Sequence, residues 1–326
     1  MNHTLNDLQA LAINMIKQEK WLKKPVFLYE PVNYAMSQGG KRIRPLFVLL
    51  AADMFGFKSM EKCRSAAVAI EVLHNFTLLH DDIMDNSPFR RGKPSVHKQY
   101  NTNMAILSGD TMFAIAIEKV FESEEHIAGK LAKVLAKTAI EICEGQALDM
   151  EFETRKDVTI EEYIEMVRLK TSVLIGAALK MGAMIATANT KDIELLVNFG
   201  ENIGIAFQIQ DDILDCWGNI ETFGKIKGKD ICDNKKTFLY LKALEIADNE
   251  NKGKLLQLFS DKEMEQTEKI NKVIALYENL NIRNIAENMM KLYTEKAFIN
   301  LQNISVIPSF KTNLFNFANT LLTRKK

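Results

Sequence analysis

The stretch LLVNFGENIGIAFQIQDDILD, Leu195–Asp215, decides the fold. Its apolar residues recur at three- and four-residue steps, the period of a helix with one buried face. It then breaks into Asp211-Asp212-Ile213-Leu214-Asp215. Gln208, Asp211 and Asp215 fall on one helical face, with Gly204 one turn earlier. A missing side chain at Gly204 either leaves room for a ligand or lets two helices pack closely. Aspartates on one face repel each other, so the stripe needs a compensating cation if it faces a cavity.

The same period runs through Ile160–Val173, and no proline occurs between Pro94 and Pro308. Alternating strand patterns are hard to find. The expectation is an all-α chain of roughly ten or more helices. No Pro/Ser-rich linker divides the sequence, so residues 1–326 are expected to form one domain. Two loops stand out. Asn86–Lys98 (NSPFRRGKPSVHK) and the lysine-rich Trp217–Lys236 (WGNIETFGKIKGKDICDNKK) each follow a carboxylate cluster.

The first cluster is Asp81-Asp82-Ile83-Met84-Asp85, at the end of the apolar run Ala66–Leu79. Asp81 and Asp85 lie about 6 Å apart along a helix axis, and His74 continues their stripe backwards. Magnesium prefers hard oxygen ligands and is typically held by one or two carboxylates plus substrate phosphates. Two such helix ends facing each other could hold metals that bind a diphosphate between them. One DDxxD alone is more often a solvated acidic face. Two copies, each following apolar helix and preceding a basic loop, are harder to dismiss.

Basic groups accompany the carboxylates. Arg90 and Arg91 follow the first cluster, and the planar guanidinium fork suits phosphate oxygens. Gly39-Gly40-Lys41-Arg42-Ile43-Arg44-Pro45 puts cations beside flexible backbone. Lys170-Thr171 interrupts an apolar helix, where a buried lysine needs an anionic partner or must reach solvent. Lys225 and Lys235 sit in the second loop. Each of these, taken singly, also reads as an ordinary surface charge, and His74 as a core histidine.

Composition narrows the classes. Lys plus Arg and Asp plus Glu number 42 each, so there is no chain-wide basic footprint for nucleic acid. Cys63, Cys143, Cys216 and Cys232 are scattered, as free thiols in a reducing cytosol would be. Met1–Asp7 contains no apolar signal core. The longest apolar stretch, Leu169–Ala188, is interrupted by Lys170 and Lys180 and reads as a core helix rather than a membrane span. A cytoplasmic protein is expected.

Taken together, GGKRIRP (39–45), LLHDDIMDNSPFRRGKPSVH (78–97), LKT (169–171), FQIQDDILD (207–215), GK (224–225) and DNKK (233–236) resemble the trans-prenyl diphosphate synthases. This is the family of farnesyl and geranylgeranyl diphosphate synthases. The segments occur in family order over about the first three quarters of the chain. The resemblance implies a large antiparallel helix bundle around a deep central cavity, usually as a homodimer. It implies magnesium, three ions per site, held by Asp81, Asp85 and Asp211 with Asp82 and Asp215 supporting, and Asp212 as a weaker candidate. Arg90, Lys170, Thr171, Gln208, Lys225 and Lys235 would contact an allylic diphosphate. Lys41, Arg44, His74 and Arg91 would hold isopentenyl diphosphate. The implied reaction is head-to-tail condensation, with Asp81, Asp85, Asp211 and Lys170 carrying the chemistry.

In this family, bulk just before the first DDxxD often sets product length. Phe76 stands five residues upstream of Asp81, with Thr77 beside it and Leu73 one turn earlier. One aromatic next to a small residue resembles geranylgeranyl (C20) synthases more than farnesyl (C15) synthases, which remain the alternative. Phe76 also reads as a plain core aromatic. A terpene cyclase would usually replace the second DDILD by an Asn/Ser/Glu pattern. A non-catalytic synthase subunit would commonly have lost one aspartate motif. A head-to-head synthase would not need GGKRIRP with Arg90-Arg91, and a structural metal-binding bundle would not need the basic groups.

Overall fold

The computed structural model describes residues 3–218, 228–261 and 263–323. Its α-helices are α1 (Leu5–Lys17), α2 (Val26–Ser37), α3 (Ile43–Met54), α4 (Arg64–Met84), α5 (Val96–Gln99), α6 (Thr102–Phe121), α7 (Glu125–Thr154), α8 (Ile160–Val167) and α9 (Val173–Ile185). Then follow α10 (Thr190–Trp217), α11 (Lys229–Cys232), α12 (Phe238–Ile246), α13 (Asn249–Ser260), α14 (Gln266–Asn279), α15 (Ile282–Asn303) and α16 (Pro308–Leu322). A π-helical turn, Arg168–Ser172, joins α8 to α9. The all-α expectation is met.

The chain forms two compact units, each assembled from three separate stretches. One comprises Met1–Ile142, Val173–Gly200 and Asn300–Phe317; the other comprises Cys143–Ser172, Glu201–Ile299 and Ala318–Lys326.

In the first unit α3 and α4 are the core. Every residue of α3 from Pro45 to Met54 is buried, as are Ala66–Leu73 of α4. Alanines stand among larger apolar residues in both stretches. Burying each large apolar side chain contributes about 1.5–3 kcal/mol before entropy is counted. α3 packs on α9 and α4, and α4 packs on α6. Gly182 of α9 makes the first contact possible, because a Cβ there would stand 2.0 Å from the Val48 carbonyl oxygen. α1 starts at a capping box in which Thr4 and Asp7 satisfy each other's backbone N–H groups.

The loop after the first aspartate cluster contains the only strands among the described residues, Phe89–Arg90 (β1) and Lys93–Pro94 (β2), paired antiparallel. Their connection is Arg91-Gly92, with φ of 53° and 76°. Two consecutive positive φ values form the turn whose twist suits a two-residue hairpin. Only glycine adopts such a φ freely, so the sequence hides this hairpin behind the positive φ of Arg91.

In the second unit the core gathers Tyr163 and Val167, Ile205, Ile209 and Ile213, Phe238 and Tyr277 from α8, α10, α12 and α14. α8 also begins at a capping box, Thr159 with Glu162.

Candidate active site

The first aspartate cluster ends α4. Asp81 and Asp82 lie in its last turn and Asp85 is its C-cap. A helix C-terminus already carries a partial negative charge, so three carboxylates there are unfavourable without cations nearby. The β1–β2 hairpin delivers one. Arg90 Nε donates to both Asp82 oxygens at 3.0 and 3.2 Å, and Nη2 reaches Asp81 Oδ2 at 3.4 Å. Asp82 is buried, and its carboxyl is raised by that burial although Arg90 pulls it down.

The hairpin turn meets the Gly39-Gly40 segment. Arg91 Nη1 donates to the Gly39 carbonyl oxygen at 2.6 Å. Gly40 has φ of 124°, and a Cβ on it would stand 3.2 Å from the Arg91 guanidinium carbon. Arg42 begins α3 with a left-handed φ of 47°. The strain is held by a bond from Arg42 Nη2 to the Met36 carbonyl and a buried ion pair from Nη1 to Glu71 Oε1, both 2.6 Å. Asn75 Nδ2 donates to the same Glu71 oxygen at 3.2 Å.

His74 lies at the centre of this basic region. Burial first, then the guanidiniums of Arg44, Arg91, Arg90 and Arg42, hold its imidazole well below the usual range. Burial also lowers the Arg44 guanidinium to about 10, and Arg44 Nε is buried with no hydrogen-bond partner among the described residues. Guanidiniums so placed favour an anion, and a buried donor lacking an acceptor costs about 1–3 kcal/mol until one arrives. A shallow pocket lined by Gln38, Asn75, Asp82, Arg90 and Arg91 opens here. Lys41 is exposed beside it in sequence.

Thus Arg44, His74, Arg90, Arg91 and the first cluster converge. Sequence reasoning missed Arg42, Glu71 and Asn75, although two polar residues four apart in the apolar α4 run were a usable signal. Phe76 packs edge-on against His80, ring centres 4.8 Å apart, and against Phe113 of α6 at 5.6 Å. Thr77 Oγ1 donates to the His74 carbonyl, and Leu73 is fully buried.

In the second unit, Asp211, Asp212 and Asp215 occupy the final turns of α10. Asp212 is buried and points into the protein. It accepts from Tyr163 Oη at 2.5 Å, from Gln208 Nε2 at 3.3 Å and from the Phe238 N–H at 3.3 Å. Burial, reinforced by Asp230, pushes its carboxyl well above the usual range. Asp215 accepts from the Asp230 N–H at 3.2 Å, and its carbonyl takes the Gly228 N–H. Tyr163 carried no signal in the sequence beyond its aromatic character.

The π-helical turn presents Lys170 and Thr171. π-bulges recur at functional sites because one extra residue swings side chains off the regular helical face. Glycines flank the turn. A Cβ on Gly145 would meet Lys170 N at 2.4 Å, and one on Gly204 would meet Ser172 Cα at 2.6 Å. Of the two uses open to Gly204, the structure shows close packing. Lys170 Nζ donates to Asp149 Oδ2 at 2.7 Å, and Lys235 Nζ lies 3.6 Å from that oxygen and 3.1 Å from Glu153 Oε1. Lys236 donates to the Phe152 and Glu153 carbonyls at the end of α7. Lys225 lies outside the described residues.

Residues 25–277 match the polyprenyl synthetase family model. The chain is 40% identical over 306 residues to the geranylgeranyl diphosphate synthase of Methanosarcina mazei, covering 93% of this chain and 91% of that one. It is 42% identical over 245 residues to a geranylfarnesyl diphosphate synthase of Natronomonas pharaonis, covering 70% and 72%. A solved geranylgeranyl pyrophosphate synthase superposes with a TM-score of 0.94 at 42% identity, over 99% of this chain and 100% of that one. The chain belongs to the polyprenyl synthetase family and is a prenyltransferase.

Proposed function

We propose that this chain is a short-chain trans-prenyl diphosphate synthase that joins isopentenyl diphosphate head to tail to an allylic diphosphate, with a C20 product. The observation that carries this reading is the set of four arginines around His74, with Arg44 Nε buried and lacking a partner, beside a helix end rich in carboxylates. An anion site adjoining a cation site is what a magnesium–diphosphate enzyme needs. The relatives named geranylgeranyl diphosphate synthase support the product length.

Arg44, His74, Arg91 and Lys41 hold the isopentenyl diphosphate and aim its double bond. Lys170, Thr171, Gln208, Lys225, Lys235 and Arg90 hold the allylic diphosphate. The donors at Asp81, Asp85, Asp211, Asp82 and Asp215 are hard carboxylate oxygens, the chemistry magnesium prefers. Three magnesium ions bound there would add positive charge against the diphosphate as it leaves. The allylic C–O bond ionises, the isopentenyl double bond attacks the cation, and a proton passes to the released diphosphate. Lys170 and Lys235 stabilise the charge building on the leaving group. The protein supplies no nucleophile.

Phe76, braced by Phe113 and His80, ends the path of the growing chain, with Thr77 and Leu73 beside it. Among the described residues no helix is long and apolar enough to cross a membrane. The four scattered free thiols suit a cytoplasmic enzyme. It works as a homodimer, for which the exposed Ile106 and Leu107 of α6 offer apolar surface.

Product analysis tests the reading. Purified protein is incubated with magnesium, labelled isopentenyl diphosphate and, separately, dimethylallyl, geranyl and farnesyl diphosphates. A C20 product from all three is expected. A stop at C15 with farnesyl diphosphate unused makes it a farnesyl synthase. No elongation from any primer overturns the enzyme reading in favour of a non-catalytic subunit.

A further inference from the structure

We infer that Asp149 is a positioning residue for the allylic diphosphate: its carboxylate gathers the Lys170 and Lys235 ammonium groups and aims them. The inference rests on the reading of those two lysines given under Proposed function.

One helix, α7, fixes Lys170 at both ends. Gly145 lies against the Lys170 backbone in the π-helical turn, where a Cβ would come within 2.4 Å of its N and 2.8 Å of its Cα. One turn later on the same face, Asp149 Oδ2 takes the Lys170 ammonium at 2.7 Å. With its backbone held by Gly145 and its head by Asp149, a side chain of high rotamer freedom is confined before substrate arrives.

Lys235 is held from the same helix. Its ammonium lies 3.6 Å from the same Asp149 oxygen and 3.1 Å from Glu153 Oε1. Its neighbours fix the turn: Lys236 donates to the α7 carbonyls of Phe152 and Glu153, and the buried Lys269 donates to Asn234 Oδ1 at 2.6 Å.

Without a carboxylate between them, two ammonium groups this close would repel. Burial raises the Asp149 carboxyl, yet Lys170 and Lys235 outweigh it and leave it below the usual range, so it stays ionised.

The test is Asp149→Asn, which keeps the size and removes the charge. The KM for geranyl diphosphate should rise roughly tenfold or more, the scale of losing a charge-assisted hydrogen bond. The inhibition constant for inorganic pyrophosphate should rise with it. The KM for isopentenyl diphosphate should stay within about twofold, and Asp149→Glu should recover part of the loss. In the Asp149→Asn background, Lys170→Ala should add much less than it costs in the native enzyme, because the two act through one contact.

Equal rises in both KM values, additive effects, or a loss of thermal stability with unchanged KM would overturn the inference and leave Asp149 a structural residue. Lys170→Ala alone separates the two levels. An unchanged KM for geranyl diphosphate there removes the diphosphate role of the lysines and the inference with it. A raised KM there with a silent Asp149→Asn removes the inference alone. If the Asn variant does not accumulate, the Glu variant reads the same KM ratio.

Discussion

The two aspartate clusters share one pattern and one position, the closing turns of α4 and α10, but their inner residues are satisfied in opposite ways. Asp82 is met by a cation, the Arg90 guanidinium that the β1–β2 hairpin carries to it. Asp212 is met by neutral donors, the Tyr163 hydroxyl, the Gln208 amide and the Phe238 N–H. Burial raises both carboxyls, but at Asp82 the full charge of Arg90 pulls against it, whereas at Asp212 the neutral donors offset burial only in part and Asp230 adds to it. An identical DDxxD string therefore specifies the outer aspartates far better than the inner one.

The outer positions should be alike. Asp81→Ala and Asp211→Ala should each lower turnover by about 10³ or more, the scale of lost metal and electrostatic stabilisation of a leaving group. Neither should unfold the chain, because both remove charge from a helix end that is already negative. Labelled isopentenyl diphosphate consumption beside thermal unfolding checks this. A near-normal rate in either variant would mean that only one cluster handles the metal.

The inner positions should differ. Arg90→Ala leaves Asp82 buried without its cation and should cost about 2 kcal/mol in urea unfolding. That is less than the 3–5 of a fully buried pair, because Arg90 is partly exposed. Tyr163→Phe removes one neutral hydrogen bond and should cost about 1–2 kcal/mol. If Tyr163→Phe proves the more damaging, the contrast between ionic and neutral satisfaction fails.

The smallest effect sharpens the comparison most. Asp212→Asn keeps an acceptor for Tyr163 and removes a charge the site disfavours, so it should cost under about 1 kcal/mol. Asp82→Asn weakens the hold on Arg90 and should cost more. Denaturant midpoints of the two variants, measured side by side, decide it.

The helical period through Leu195–Ile213 and Ile160–Val173 was legible, and so was the company that the first DDxxD keeps with Arg90-Arg91 and the Gly39-Gly40 segment. The hairpin was not, because its turn needs a positive φ at an arginine, which local preference disfavours. Nor was Asp149, whose partners lie 21 and 86 positions away in sequence and meet it only through the fold.

By itself, then, the sequence determined the helices and the placing of the outer carboxylates at their ends, because hydrophobic period and carboxylate spacing are properties of a local segment. Tertiary structure alone decided which buried charges are matched, and by what. Arg42 with Glu71, Tyr163 with Asp212 and Asp149 with Lys170 and Lys235 join residues distant in sequence, and Arg90 reaches Asp82 only because the hairpin turns back on the helix end. The free energy of a buried charge depends on whichever groups the packing brings within a few ångströms, and no local pattern encodes that.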